Sequence, residues 1–260
     1  MKKALAACLI VAALIWGAWL VALPQEVLLA RVEDALAQGQ VRADITGFRK
    51  GLFYNFHADA VDISASGVRV LRVQDLRGRL LFLPLLRLTA ALDLRGRAGG
   101  GPLSGRVELG RSGYGVRMDA AGARLEELGL VQSNRLPWKG EVRADLAVTN
   151  GRGSVTFSVR KTRLGPLSLY GMSIPLESVR DIRGAVRIRG ATLVVESISL
   201  EGPDIYARVS GNIRGSRADL TLEVMPVGDR FSDPLLGQLL ARYKVAPGHY
   251  VIPVKQSLRF

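Results

Sequence analysis

The residues in this chain best suited to chemistry are His57, Asp59 and Asp62, three potential metal ligands within six positions. His57 and Asp59 would share one face of a strand, so a transition metal held by imidazole and carboxylate is the chemistry to consider. Polar residues on a half-exposed strand explain the same spacing better, because alternate positions are what a sheet turns to water. The other histidine, His249, is distant in sequence, and neither stands in a helical metalloprotease motif. There is no Gly-x-Ser-x-Gly elbow and no glycine-lysine phosphate loop, and the triple glycine at 99–101 lacks the strand-to-helix context of a nucleotide fingerprint. Without a converging set of titratable groups, the sequence reads as non-catalytic, with no cofactor and no metal.

The charge balance narrows the partners without choosing one. The chain has 36 basic against 23 acidic residues, a formal charge of +13, and only seven of the basic residues are lysine. Such an excess favours anionic lipid headgroups, acidic proteins or nucleic acid. The arginine-bearing stretches lack the interleaved aromatics of a single-strand binder, with aromatics at 6%, so a solvated sheet face is expected and nucleic acid is not. Cys8 is the single cysteine, which excludes an intramolecular disulfide.

Whatever positions these residues is tied to the stretch Ala4 to Leu23, twenty residues without a charge, closed by Pro24. As a helix it would reach roughly 30 Å, the hydrocarbon thickness of a bilayer. Leu5, Leu9, Leu14, Trp16, Trp19 and Leu23 mark it as a membrane anchor, with the two indoles near the far headgroup layer. Lys2 and Lys3 before it, against Glu26, Glu33 and Asp34 after it, place the amino terminus in the cytoplasm and the bulk of the chain in the periplasm. A cleaved signal peptide is disfavoured by the length of the apolar run and by the lack of a small-x-small site before Pro24. A lipidation box ending at Cys8 is disfavoured because almost no apolar core precedes it. Residues 25–40 read as a short amphipathic helix, with Leu28, Val32, Ala35 and Leu36 at helical spacing and Gly39 as its cap.

From Val41 onward the period is two. Leu86, Leu88, Ala90, Leu92 and Leu94 share one face of an expected strand, with Arg87, Asp93 and Arg95 on the other. Val186 and Ile188 stand opposite Arg187 and Arg189 in the same way, and Val209 belongs to a third such run. Asn150-Gly151 and Gly202-Pro203-Asp204 separate strands at hairpin distance, Gly99-Gly100-Gly101-Pro102 is a looser break, and Arg124 to Leu130 allows one helical turn. The expected fold is therefore mainly β: an N-terminal transmembrane helix, then a long twisted antiparallel sheet over residues 41–260, curled or grooved. A covering helix near 233–244 is expected, capped by Asp233 and opened by Pro234. Pro253 marks the closing segment as an edge strand. An oily face cannot stand wholly in water, since each exposed leucine forgoes roughly 1.5 to 3 kcal/mol of burial. Leu86, Leu88, Leu92, Leu94, Val186, Ile188 and Val209 are the candidate residues of that face or groove.

The order of these parts resembles the general secretion pathway protein N family of bacterial type II secretion systems. The residues that carry the resemblance are Leu239-Leu240-Ala241-Arg242-Tyr243 leading into Gly248-His249-Tyr250-Val251-Ile252-Pro253-Val254-Lys255 and Leu258, with Gln256 where the family commonly has glycine. Ala191 to Ile213 is similar to the repeats of AsmA-like envelope proteins. The resemblance implies an inner-membrane protein, bulk in the periplasm, that serves protein secretion as a structural or assembly part through contacts with other secretion components. It implies no catalytic residue. The AsmA-like kinship implies the alternative, a curled sheet whose groove takes lipid acyl chains, so that membrane lipids are expected partners on either reading.

Overall fold

The computed structural model describes residues 41–257 apart from 52–53, 66, 82–83, 85–87, 112, 134–135, 166, 170–171, 175, 216 and 228–240. The expected anchor (Leu5, Leu9, Leu14, Trp16, Trp19, Leu23), the helix over 25–40 and most of the helix near 233–244 lie outside the described residues. Within them, no helix is long and apolar enough to cross a membrane.

The first strands are β1 (Val41–Thr46), β2 (Arg49–Lys50), β3 (Asn55–Ala65), β4 (Val68–Leu81), β5 (Thr89–Ala98), β6 (Gly101–Gly110) and β7 (Gly113–Arg124). After a 3-10 turn (Leu125–Glu127) and the short helix α1 (Gly129–Ser133) come β8 (Lys139–Thr149) and β9 (Arg152–Arg163). The chain continues through β10 (Leu167–Leu169), β11 (Met172–Ile174), β12 (Asp181–Arg189), β13 (Thr192–Glu201), β14 (Ile205–Arg214), β15 (Arg217–Pro226), β16 (Lys244–Ala246) and β17 (His249–Ser257). Fifteen of these strands form one antiparallel sheet in nearly sequential order, from β1 at one end to β16 at the other, while β10 and β11 pair only with each other.

Tight turns explain why neighbours in sequence are neighbours in space. Asn150 and Gly151 both have positive φ, +50° and +72°, the geometry whose twist matches a two-residue hairpin. Gly99 and Gly100, at +53° and +73°, do the same between β5 and β6, so this break is a tight turn and not the loose one expected. Among the bulges that bend the sheet, Asp75, Gly122 and Lys161, all with positive φ, sit where the pairings β4 with β5, β7 with β8 and β8 with β9 shift register.

The strand expected from Leu86 to Arg95 begins only at Thr89. Leu88 is the turn residue before it, at φ +55° and 62% exposed, and is not on the sheet face. Alternation alone cannot see this, because the first facing pair, Leu81 with Ala91, leaves the chain just before Thr89 to turn rather than extend. Leu86 lies outside the described residues. The expected helix does not reach residue 244, since Lys244–Ala246 is strand β16. Pro253 faces Thr221 on β15, while β16 pairs only with His249 and Tyr250, so the proline lies on an outer edge as expected.

The apolar face is filled in two main places. Near the start, Ala43, Ala58, Val61, Val73, Ala98 and Leu103 form one core; towards the end, Leu164, Leu176 and Val179 cover Ile205, Ala207, Leu222, Val224 and Ile252. A smaller cluster of Ala123, Val142 and Val159 is covered by Leu125 and Leu128.

Candidate functional site

Side chains that face each other across a ladder point to the same side of a sheet, so the register decides which residues share a surface. Starting from Leu92, the facing residues are Leu80 on β4 and Val107 on β6, then Val116, Val148 and Gly153. The row continues through Ile188, Leu193, Ile213 and Ala218. Leu94 belongs to the next row, which reaches Val186 through Gly105, Met118, Leu146 and Val155 and continues to Val195. Val209 lies in a third row with Phe157, Gly184, Ile198 and Leu222. None of these residues carries a charge. Leu92, Leu94, Val186, Ile188 and Val209, which come from three strands spread over the chain, therefore lie on one continuous apolar surface, each half-buried.

At about 4.8 Å between strands, the ten strands from β4 to β15 in the first row span roughly 43 Å along the sheet. One leaflet of a bilayer is about 15 Å of hydrocarbon, so the surface is nearly three leaflets long.

The two margins of this surface differ because the connections differ. On one margin the long segments 125–138 and 164–180 fold back, and their Leu125, Trp138, Leu164, Leu176 and Val179 pack onto the face. The other margin has tight hairpins at 150–151 and 190–191, too short to reach over anything. There Leu109, Tyr114 and Leu193 remain 51%, 44% and 39% exposed, and Leu88 lies on the same margin. Hydrogen bonds tie the hairpin tips into a rim: the Tyr114 amide donates to Asn150 Oδ1 at 2.8 Å, the Asn150 amide to the Tyr114 carbonyl at 3.0 Å, and the Gly190 amide to the Gly151 carbonyl at 2.8 Å. Among the described residues the face is thus closed along one side and open along the other.

The opposite face is polar and rich in arginine. Arg106 Nε donates to Asp93 Oδ1 at 2.8 Å, and this bond raises the arginine's pKa above its ordinary value. Arg187 pairs with Glu196, and Arg69 lies 3.3 Å from Asp62.

His57 Nε2 lies 3.2 Å from Asp59 Oδ1, but Asp62 is engaged by Arg69 and Arg72 instead. Among the described residues no group of three histidine, cysteine or acidic side chains comes together to hold a metal.

Sequence reasoning found the alternating runs but missed the residues that join them. Phe56 with Gly78, and Phe157 with Gly184, are facing pairs in which the ring occupies the space above the glycine. A phenylalanine in one strand and a glycine in another carry no signal in sequence until the register sets them opposite each other.

In comparisons with protein-family models, curated proteins and solved structures, nothing matches this chain.

Proposed function

We propose that this chain is an inner-membrane-tethered, periplasmic and non-catalytic component of a bacterial type II secretion system, and that its working surface is the apolar face, which takes lipid acyl chains. The observation that carries the working surface is its continuity: uncharged rows crossing most of the sheet, half-buried and, among the described residues, open along the hairpin margin. An apolar surface of this length left half in water favours an apolar occupant, because burying each such side chain contributes roughly 1.5 to 3 kcal/mol when complete. The setting rests on the uncharged run Ala4 to Leu23 and on the resemblance of the closing segment to the secretion protein N family.

A second reading, docking of another secretion component by protein contacts, draws support from β1, a six-residue strand at one end of the sheet. Such an edge offers unpaired backbone groups to an added strand.

A photo-cross-linking residue at Leu94 or Val186 in living cells separates the two. A lipid-mass adduct supports acyl-chain binding; a discrete protein adduct, with none of lipid mass, supports docking and ends the first reading. A topology reporter fused after Phe260 tests the periplasmic placement.

A further inference from the structure

On the polar face, β2 to β5 set four cationic or proton-donating side chains directly opposite one another. Arg49 faces His57, His57 faces Arg77, and Arg77 faces Arg95. Facing side chains have Cβ atoms about 4.5 to 5.5 Å apart, where like charges repel. Other facing arginine pairs, such as Arg152 with Arg189, stop at two. Arg79, two residues along β4 from Arg77, adds a further guanidinium. Among the described residues Arg77, Arg79 and Arg95 form no ion pair, and the nearby carboxylates are engaged: Asp59 by Arg49 and His57, Asp93 by Arg106.

The row lines a cavity of about 590 Å³ together with Asn55, Phe56 and Asp93, whose carboxylate is held by Arg106. A cavity walled by several guanidiniums is matched to a tetrahedral oxyanion, which offers three oxygens to separate planar forks, whereas a carboxylate is satisfied by one. We propose that this cavity is a binding site for a phosphate group, with Arg77 and Arg95 as its principal donors and Arg49, Arg79 and His57 around them. The cavity lies toward the open margin of the sheet, where Leu81 also lines it, so the phosphate of a lipid headgroup and a free phosphate are both chemically suited. The site stands on charge and register alone and does not depend on the apolar face holding a lipid.

The test uses the full chain in detergent. Its melting temperature is followed with inorganic phosphate against chloride at equal ionic strength, and with neutral micelles against micelles doped with phosphatidic acid. A phosphate-bearing ligand at about a hundredfold excess over Kd should raise Tm on the order of 5 °C. R77Q/R95Q should abolish that rise and melt no lower than the parent without phosphate, since it relieves repulsion. R152Q/R189Q, which removes the same charge from the same face, should keep the rise. A response to both ligands assigns the site to phosphate in general, and a response only to doped micelles assigns it to a lipid headgroup. No response to either, or an equal response in R77Q/R95Q, overturns the proposal.

Discussion

The ring of Phe157 on β9 covers Gly184 on β12, its direct partner across the ladder, in the space where a side chain on residue 184 would lie. Phe56 covers Gly78 in the same way six strands earlier in the sheet order, on the same apolar face. The ring fills the gap that glycine leaves. Gly184→Val should therefore destabilise by about 1 to 3 kcal/mol through overpacking. In a Phe157→Ala background the same change should cost much less, a coupling that denaturant midpoints on the four proteins of the cycle will measure.

The open and closed margins predict opposite mutational costs. Ile205 is fully buried under the covering segments, whereas Leu193 is 39% exposed at the hairpin margin. Ile205→Ala should cost about 2 to 5 kcal/mol and Leu193→Ala less than about 1 kcal/mol. Equal losses in urea unfolding would mean that Leu193 is covered, and the open margin would be wrong.

Placing a charge in the middle of the apolar rows tests the working surface. Leu94→Arg should leave the far-ultraviolet spectrum of a β protein in place, because the side chain is only half-buried. It should also reduce lipid cross-linking at Val186, five strands away in the same row, by an order of magnitude, since a desolvated charge disfavours an acyl chain. Leu88→Arg, on the exposed turn, should leave both the spectrum and the cross-link unchanged. An unchanged cross-link in folded Leu94→Arg counts against acyl-chain binding.

The rim depends on Asn150, which combines a left-handed φ of +50° with a side-chain bond to the Tyr114 amide. Asn150→Gly keeps the backbone conformation and loses the bond, so it should cost about 0.5 to 1.5 kcal/mol; Asn150→Ala loses both and should cost about 1 to 2 kcal/mol more. Hydrogen exchange at the Tyr114 amide should accelerate in both variants. Protection equal to the parent in either would show that another acceptor holds that amide.

Much of this organisation is legible in the chain itself. The change to a period of two at Val41, and the apolar and arginine positions alternating at 142–148, 182–189 and 205–213, fix both the strands and their amphipathic character. Asn150-Gly151 fixes a hairpin because few residues adopt a left-handed backbone cheaply. These are local properties, set by neighbours a few positions apart.

Register and connection path are not local, and only the tertiary structure decides them. Leu88 continues the alternation of Leu92 and Leu94 in sequence, yet it turns out of the sheet because β5 must reverse from β4. Leu92 and Ile188 lie nearly a hundred residues apart and share one row because each intervening pair of strands, whether joined by a hairpin or by a long segment, keeps its facing residues in step. Arg77 and Arg95 become opposite neighbours through the register that runs unbroken from Leu81 with Ala91 at the β4–β5 turn, and the bulge at Asp75 shifts that register only beyond them. A strand's own residues set the two sides it has; the bulges, turn lengths and overlying segments determine which side chains meet and which side stays open.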